Sequence, residues 1–321
     1  MVSTSATGAG SQAIGFVGLA TSHPYTDADT VVARHPDASL HVWEPDEDRL
    51  VAFLERNPGA RSYESLAALI DADVHGFVIT MRPPDVSDVV LACVATGVPL
   101  FINKPAAATL KQLDALDRVV QPIAERVLSS SVLRFANPVR EFAAGFTRTE
   151  VLTARATVRH DVGRWLHGST DWQDDPDTGG GGIVTIGLHG LELLASLLGV
   201  DFEIISSMAQ VRRLQGLRSE DTAVIAVRWA DGILGTIDVV GVAASESYGV
   251  SLETVNGPIS LELPAADTDP FGYRGAIDAF LEMVDAAREG RRVASPVAWH
   301  ETRAILRGIV TASALAHRVA N

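Results

Sequence analysis

Over the first 130 residues, short apolar and β-branched runs alternate with longer amphipathic stretches. The runs 13–19, 39–43, 76–80, 98–102 and 126–132 have the length and composition of strands. Between them, 27–34, 46–56, 62–71, 87–96 and 109–124 carry helical spacing. Parallel neighbours in a sheet need a crossover between them, and a helix is the usual one. The alternation therefore predicts an α/β chain: a parallel sheet, doubly wound by right-handed crossovers, with helices on both faces. Ligands of such a sheet bind outside the carboxyl ends of its strands.

The pattern changes near residue 134. Six strand-like segments follow, 151–159, 202–212, 223–230, 235–242, 249–254 and 259–263, mostly without helices between them. The turns Ala230-Asp231-Gly232 and Asn256-Gly257 offer the positive φ that tight hairpins require. These features predict a second, α+β domain with a mainly antiparallel sheet, and helices at 182–198, 277–290 and 299–319. The expected division is a disordered tail at 1–12, a dinucleotide-binding domain at 13–134 and a substrate and oligomerisation domain at 135–321. A chain of 321 residues, 47% of them hydrophobic, is long enough for two cores.

Composition narrows the function classes. Cys93 is the sole cysteine, which excludes a disulfide framework or a zinc site built from several thiolates. A net charge of −14 disfavours nucleic acid and anionic membranes as partners. The Ser/Thr/Gly/Ala-rich start has no basic residues and no apolar core, unlike a signal peptide. The apolar stretch 183–200 contains His189 and Glu192 and reads as a buried helix. A cytoplasmic protein is expected.

The first strand–turn–helix unit places Gly18, Ala20 and His23 where a dinucleotide turn wants three glycines. Only the first matches. The cofactor-contacting set expected here is Gly18, Ala20, Thr21, Ser22 and His23, with Thr80, Met81 and Arg82 after the fourth strand and Asn103 and Lys104 after the fifth. Glu44 ends the second strand, 26 residues beyond Gly18, where a carboxylate accepts ribose hydroxyls and repels a 2′-phosphate. That favours NAD over NADP, although Arg82 on the same edge offers a phosphate partner.

Lysine usage points to chemistry. Of 26 basic residues only Lys104 and Lys111 are lysines, and Lys104 follows the strand 98–102 directly. An ammonium can release its proton in a desolvated site and a guanidinium cannot. A second constellation is the run of four glycines, 179–182, that leads into a helix carrying Thr185, His189 and Glu192. Glycines there permit close backbone approach. Thr185 and His189, four apart, share one helical face, and imidazole suits proton transfer to a hydroxyl.

Together these motifs resemble the glucose-fructose oxidoreductase / inositol dehydrogenase / rhizopine catabolism family, Gfo/Idh/MocA. Asn103-Lys104-Pro105 matches its Glu-Lys-Pro, and 179–189 matches its Gly-Gly-Gly…Asp…Gly…His signature. Arg134-Phe135, Trp172 and 276–290 match further. The resemblance implies a nicotinamide cofactor and a homodimer or homotetramer built on the open sheet face. It puts Lys104 and His189 on either side of the reacting substrate carbon, with Asp171, Trp172 and Thr185 beside them. Thr185 stands where the family has aspartate, Asn103 where it has glutamate, and Met81-Arg82-Pro83 where it has Thr-Pro-Asn.

The expected activity is hydride transfer between a nicotinamide cofactor and a secondary alcohol or ketone of a sugar, cyclitol or related polyol. The departures leave a second expectation, a non-catalytic nucleotide or sugar sensor. A metal-dependent hydrolase or lyase using His160, Asp161, His167 and His189 is the third, and no His-x-x-x-His pair supports it. No metal is expected.

Overall fold

The first sheet assembles from β1 (Ala13–Val17), β2 (Ser39–Trp43), β3 (Arg61–Ser62), β4 (Gly76–Ile79), β5 (Leu100–Ile102) and β6 (Val127–Leu128), in the computed structural model, which describes residues 11–168 and 170–318. Its strands are all parallel in the order β3-β2-β1-β4-β5-β6. The chain winds left from β1 and then right from it, so the order reverses between β1 and β4. The helices between them are α1 (His23–Arg34), α2 (Glu47–Arg56), α3 (Leu66–Ile70), α4 (Pro83–Val94) and α5 (Leu110–Val120). Local chemistry fixes their starts. The Asp46 carboxylate accepts Arg49 N–H at 3.1 Å ahead of α2, and Thr109 with Gln112 forms a reciprocal cap on α5.

After α6 (Asn137–Ala144) the second sheet forms from β7 (Val151–Asp161), a helical segment ending in α7 (Leu188–Leu198), then β8 (Phe202–Gln210), β9 (Thr222–Trp229), β10 (Leu234–Val240), β11 (Val242–Thr254) and β12 (Gly257–Leu263). The chain closes with α8 (Tyr273–Arg288), α9 (Trp299–Leu315) and β13 (Ala316–Arg318). The sheet order is β12-β11-β7-β10-β9-β8-β13, antiparallel except at β7/β10 and β8/β13. Gly232 and Gly257 have φ of 94° and 111° at the two hairpin turns, as their sequences require. Helices α7 and α9 cover the inner face.

Helix α8 departs from the expected division at 134. It returns to the first sheet, where Ile277, Phe280 and Val284 are fully buried in one core with Ile14, Phe16 and Val42. The approach is close enough that a Cβ on Gly76 would meet Val284 at 2.7 Å and Phe280 at 2.8 Å. Removing the Phe280 ring costs about 3–5 kcal/mol.

Several expected elements are corrected. The two-residue β3 straddles the start of the helical segment expected at 62–71, and β13 takes residues from the end of the helix expected at 299–319. The strand expected at 126–132 keeps only two residues, because Val132–Phe135 turns into a short 3₁₀ segment. Of the expected tail, residues 1–10 lie outside the described residues. Gln12 is buried, donating from Nε2 to Asp285 at 2.6 Å.

Candidate active site

The carboxyl edge of the first sheet holds a cavity of about 340 Å³ lined by Ala20, Glu44, Asp46, Arg49, Thr80, Met81, Arg82 and Asp85. It opens at the ends of β1, β2 and β4, where the strand order reverses and ligands of such sheets bind. Gly18 has φ 77°, and a Cβ there would sit 2.2 Å from Met81 Sδ, so the turn needs glycine twice over. The Glu44 carboxylate is buried and clips the turn to β2. Its Oε2 accepts Leu19 N–H at 2.5 Å and its Oε1 accepts Asp46 N–H at 2.9 Å, with Arg49 3.7 Å away. Ala20 N–H is taken by the Thr80 carbonyl at 3.0 Å. Thr21 and Ser22 remain the open part of the turn, directly before α1.

Further along the edge, Asn103 does not face Lys104. Its amide donates to Thr80 Oγ1 at 2.6 Å and to Asp27 Oδ2 at 3.1 Å, joining β4, β5 and α1. Burial holds the Asp27 carboxyl up to about 7. His23 opens α1 with a buried Nδ1 that finds no hydrogen-bond partner among the described residues, its ring 5.4 Å from that of Tyr273.

The second sheet supplies the other wall. The glycine run packs so tightly that a Cβ on Gly179 would lie 2.3 Å from Gln173 Cα. The segment Ile183–Gly187 that follows is a π turn rather than the α-helix expected from 182. Widened turns of this kind are frequent at functional sites. Thr185 Oγ1 donates to the Gly179 carbonyl at 3.0 Å, so its hydroxyl proton is committed to the backbone. The Thr185 carbonyl lies 3.5 Å from Lys104 Nζ. Burial lowers the Lys104 ammonium to about 8.

His189, one turn on, is buried with Nδ1 2.7 Å from Ser131 Oγ. Its ring lies parallel to that of His160, 5.8 Å away at 11°, and 5.3 Å from that of Tyr248. Burial, then the charge of Lys104, holds His189 well below its ordinary pKa. His160 Nε2 is 2.8 Å from the Tyr248 hydroxyl, which donates to Glu246 at 2.5 Å. Lys104, Thr185 and His189 thus meet where the two sheets face each other. Trp172 is buried with the Arg82 guanidinium 5.9 Å from its ring, whereas Asp171 is exposed and stands apart. Among the described residues no group of three His, Cys, Asp or Glu side chains could hold a metal, and no helix is long and apolar enough to cross a membrane.

A profile of the GFO/IDH/MocA C-terminal domain matches residues 147–256. That stretch, about a third of the chain, is similar to the C-terminal domain of the Gfo/Idh/MocA family. The chain is 28% identical over 239 residues to inositol 2-dehydrogenase 2 of Saccharopolyspora erythraea, covering 71% of this chain and 66% of that protein. The match therefore spans just under two thirds of that relative's length. Its fold is similar to a myo-inositol dehydrogenase from Corynebacterium glutamicum, at TM-score 0.76 and 16% identity over 95% of this chain and 96% of that one. The structure of GenD2 from gentamicin A biosynthesis, in complex with NAD, matches at TM-score 0.76 and 18% identity over 95% of each chain.

Two of the three departures from the Gfo/Idh/MocA pattern have a structural counterpart. Asn103 serves Asp27 and Thr80 instead of the lysine, and Thr185 closes the glycine turn instead of serving the histidine. Sequence reasoning missed Asp27, Ser131, Glu246, Tyr248 and Tyr273, none of which stands in a motif. His160 was weighed only as a metal ligand.

Proposed function

We propose that the chain is a member of the Gfo/Idh/MocA family and an NAD-dependent oxidoreductase acting on a secondary alcohol or ketone of a sugar, cyclitol or related polyol. The observation that carries the reading is Lys104 Nζ 3.5 Å from the carbonyl of Thr185, one turn before the buried His189, on the same sheet edge that holds a nucleoside-sized cavity. The residues present fit the cofactor. Glu44 keeps free lone pairs for ribose hydroxyls and repels a 2′-phosphate. The N–H groups of Thr21 and Ser22 and the start of α1 suit a pyrophosphate. Gly18, Ala20, Thr80, Met81 and Arg82 shape the walls of that cavity and of the adjoining turn, while His23 and Asn103 extend the edge toward Lys104. Bound there, a nicotinamide ring supplies hydride acceptance or donation.

The protein's own part is proton handling and orientation. Lys104 and His189 address the substrate oxygen, Trp172 walls the cleft, and Thr185 holds the π turn in place. Desolvation raises the worth of each charge and dipole aimed at that oxygen. The relative named as an inositol 2-dehydrogenase makes cyclitols the first substrates to try. A homo-oligomer is part of the same reading. Met208 and Val224 pair across β8 and β9 on the outer sheet face, and with Leu152 and Leu234 they leave apolar side chains in the open.

Calorimetric titration with NAD, NADH, NADP and NADPH, followed by turnover assays on myo-inositol and aldose substrates, tests the reading. NADH binding with polyol-dependent turnover is expected. Nucleotide binding without turnover on any polyol would leave the sensor in its place, and no binding at all would remove both.

A further inference from the structure

Ser131 and His189 belong to different segments, yet Ser131 Oγ and His189 Nδ1 meet at 2.7 Å in a completely buried contact. The proton between them can be assigned. Ser131 Oγ already accepts Leu133 N–H at 3.3 Å. Among the described residues its own O–H has a single acceptor within reach, His189 Nδ1. A buried hydroxyl proton left without an acceptor is costly, so Ser131 donates and Nδ1 accepts. The one proton of a neutral imidazole then sits on Nε2.

The surroundings hold this assignment. Glu192 Oε2 accepts Ser131 N–H at 2.6 Å, and Ser130 O–H donates to Glu192 Oε1, so the seryl backbone cannot turn away. Arg134 backs that carboxylate at 3.5 Å. On the opposite side, the Tyr248 proton is given to Glu246, which makes the 2.8 Å contact one in which His160 Nε2–H donates to the tyrosine oxygen. Among the described residues no proton is offered to His189 from that face. The carboxylate that the family places four residues before the histidine is Thr185 here, with its hydroxyl directed to Gly179.

We infer that Ser131 is a positioning residue that holds His189 as the Nε2–H tautomer, so that the histidine meets substrate as a neutral hydrogen-bond donor and Lys104 exchanges the proton. The second half rests on the oxidoreductase reading; the tautomer does not. In reduction, with hydride supplied to the carbonyl carbon by a bound nicotinamide, Nε2–H would hold the alkoxide that develops on the substrate oxygen. The Lys104 ammonium then releases one proton: its N–H bond breaks, the substrate O–H bond forms, and an amine remains. Oxidation runs the same events backwards, with the amine taking the hydroxyl proton. Proton release by neutral His189 would instead leave an imidazolate, and Ser131 offers it no counter-charge. A neutral imidazole polarising a substrate oxygen is a known catalytic device.

Two-bond proton–nitrogen correlation spectra of the full chain, with ¹⁵N-labelled histidine, read the tautomer directly. A His189→Asn variant identifies the His189 signals by their loss. The expected pattern at pH 7.5 is a bare Nδ1 and a protonated Nε2 in the wild type. Ser131→Ala should lose that single pattern and lower kcat about tenfold with little change in KM, and Ser131→Thr should restore both. A wild-type Nδ1 that carries the proton, or a Ser131→Ala pattern identical to wild type, overturns the assignment. The wild-type spectrum decides even where a variant fails to fold. The spectra need no turnover, so a protein with the expected tautomer and no dehydrogenase activity would refute the oxidoreductase reading alone.

Discussion

Lys104 Nζ lies 3.5 Å from the carbonyl oxygen of Thr185, which ties the ligand edge of the parallel sheet to the π turn that leads into His189. Every side chain proposed to touch substrate is placed by that tie or by the residues flanking it.

The pH dependence of turnover follows from Lys104. Burial, then Arg164, lower its ammonium to about 8 against the opposing pull of Glu246 and Glu192, with His23, His160 and His189 around it uncharged. Oxidation needs the amine, so its rate should rise as pH passes through about 8 and level off above it; reduction should fall over the same range. Lys104→Arg should remove that limb and lower kcat at least about a hundredfold, since the guanidinium keeps its proton. Stopped-flow rates from pH 6.5 to 9.5 check both directions.

Thr185→Asp restores the family's residue but not its setting. The new carboxylate would stand against the Gly179 carbonyl and near Lys104, raising the pKa of the ammonium. The ascending limb of the oxidation profile should move to higher pH by about one unit or more. An unshifted limb would show that Lys104 is not the group being titrated.

Acid should unfold the protein through its buried imidazoles. Burial first, then nearby positive charge, lowers His23 and His160 to about 3, and His189 is also held far down. Between pH 6.5 and about 3 the unfolded chain therefore binds protons that the folded one refuses, and stability is lost as pH falls. Asp27, raised to about 7, acts in the opposite sense between pH 3.8 and 7, because there the folded state holds the extra proton. Burial also raises the Glu192 and Glu220 carboxyls, which act with Asp27, but the lowered imidazoles of His23, His41, His75, His160 and His189 outnumber these three. Thermal melts at pH 7.5, 6, 5 and 4 should show a falling Tm, with a shallower fall in His160→Asn; a flat or rising Tm would contradict the argument.

Glu44 is expected to set cofactor choice and also to hold the turn through Leu19 N–H. Glu44→Gln keeps an acceptor but removes the charge, so NADPH binding should improve relative to NADH by about tenfold while the melting temperature stays close to wild type. Glu44→Ala should lose NADH affinity and stability together. Calorimetry on both variants separates the two roles.

The outer face of the second sheet is the expected contact between copies. Met208→Glu with Val224→Lys should convert an oligomer to a monomer in light scattering without changing the far-ultraviolet dichroism. A wild-type monomer would rule out that interface at once.

The alternating pattern to residue 130 was legible because a parallel sheet buried on both faces leaves long apolar runs, and β1, β2, β4 and β5 emerge where those runs lie. Lys104 and His189 were legible because rare residue types stood beside glycines and prolines. Ser131, Tyr248 and Glu246 were not. They stand outside any motif on unremarkable strands and loops, and only the crossing of the two sheets makes them neighbours. The π turn was invisible for a related reason: a widened turn conserves the apolar periodicity on either side of it. The return of α8 was hidden because its amphipathic spacing fits either sheet equally well.

Because α8 settles on Phe101 and Gly76 only after strands β7 to β12 of the second sheet have been made, the first core stays open during synthesis. About 150 residues separate the end of the parallel sheet from Val284, which is roughly 10–30 s of translation. Throughout that interval the ribosome-bound chain exposes an apolar socket with nothing of its own to fill it. Chaperone demand during synthesis is thus written into the order of the elements, before any question of how stable the finished protein is.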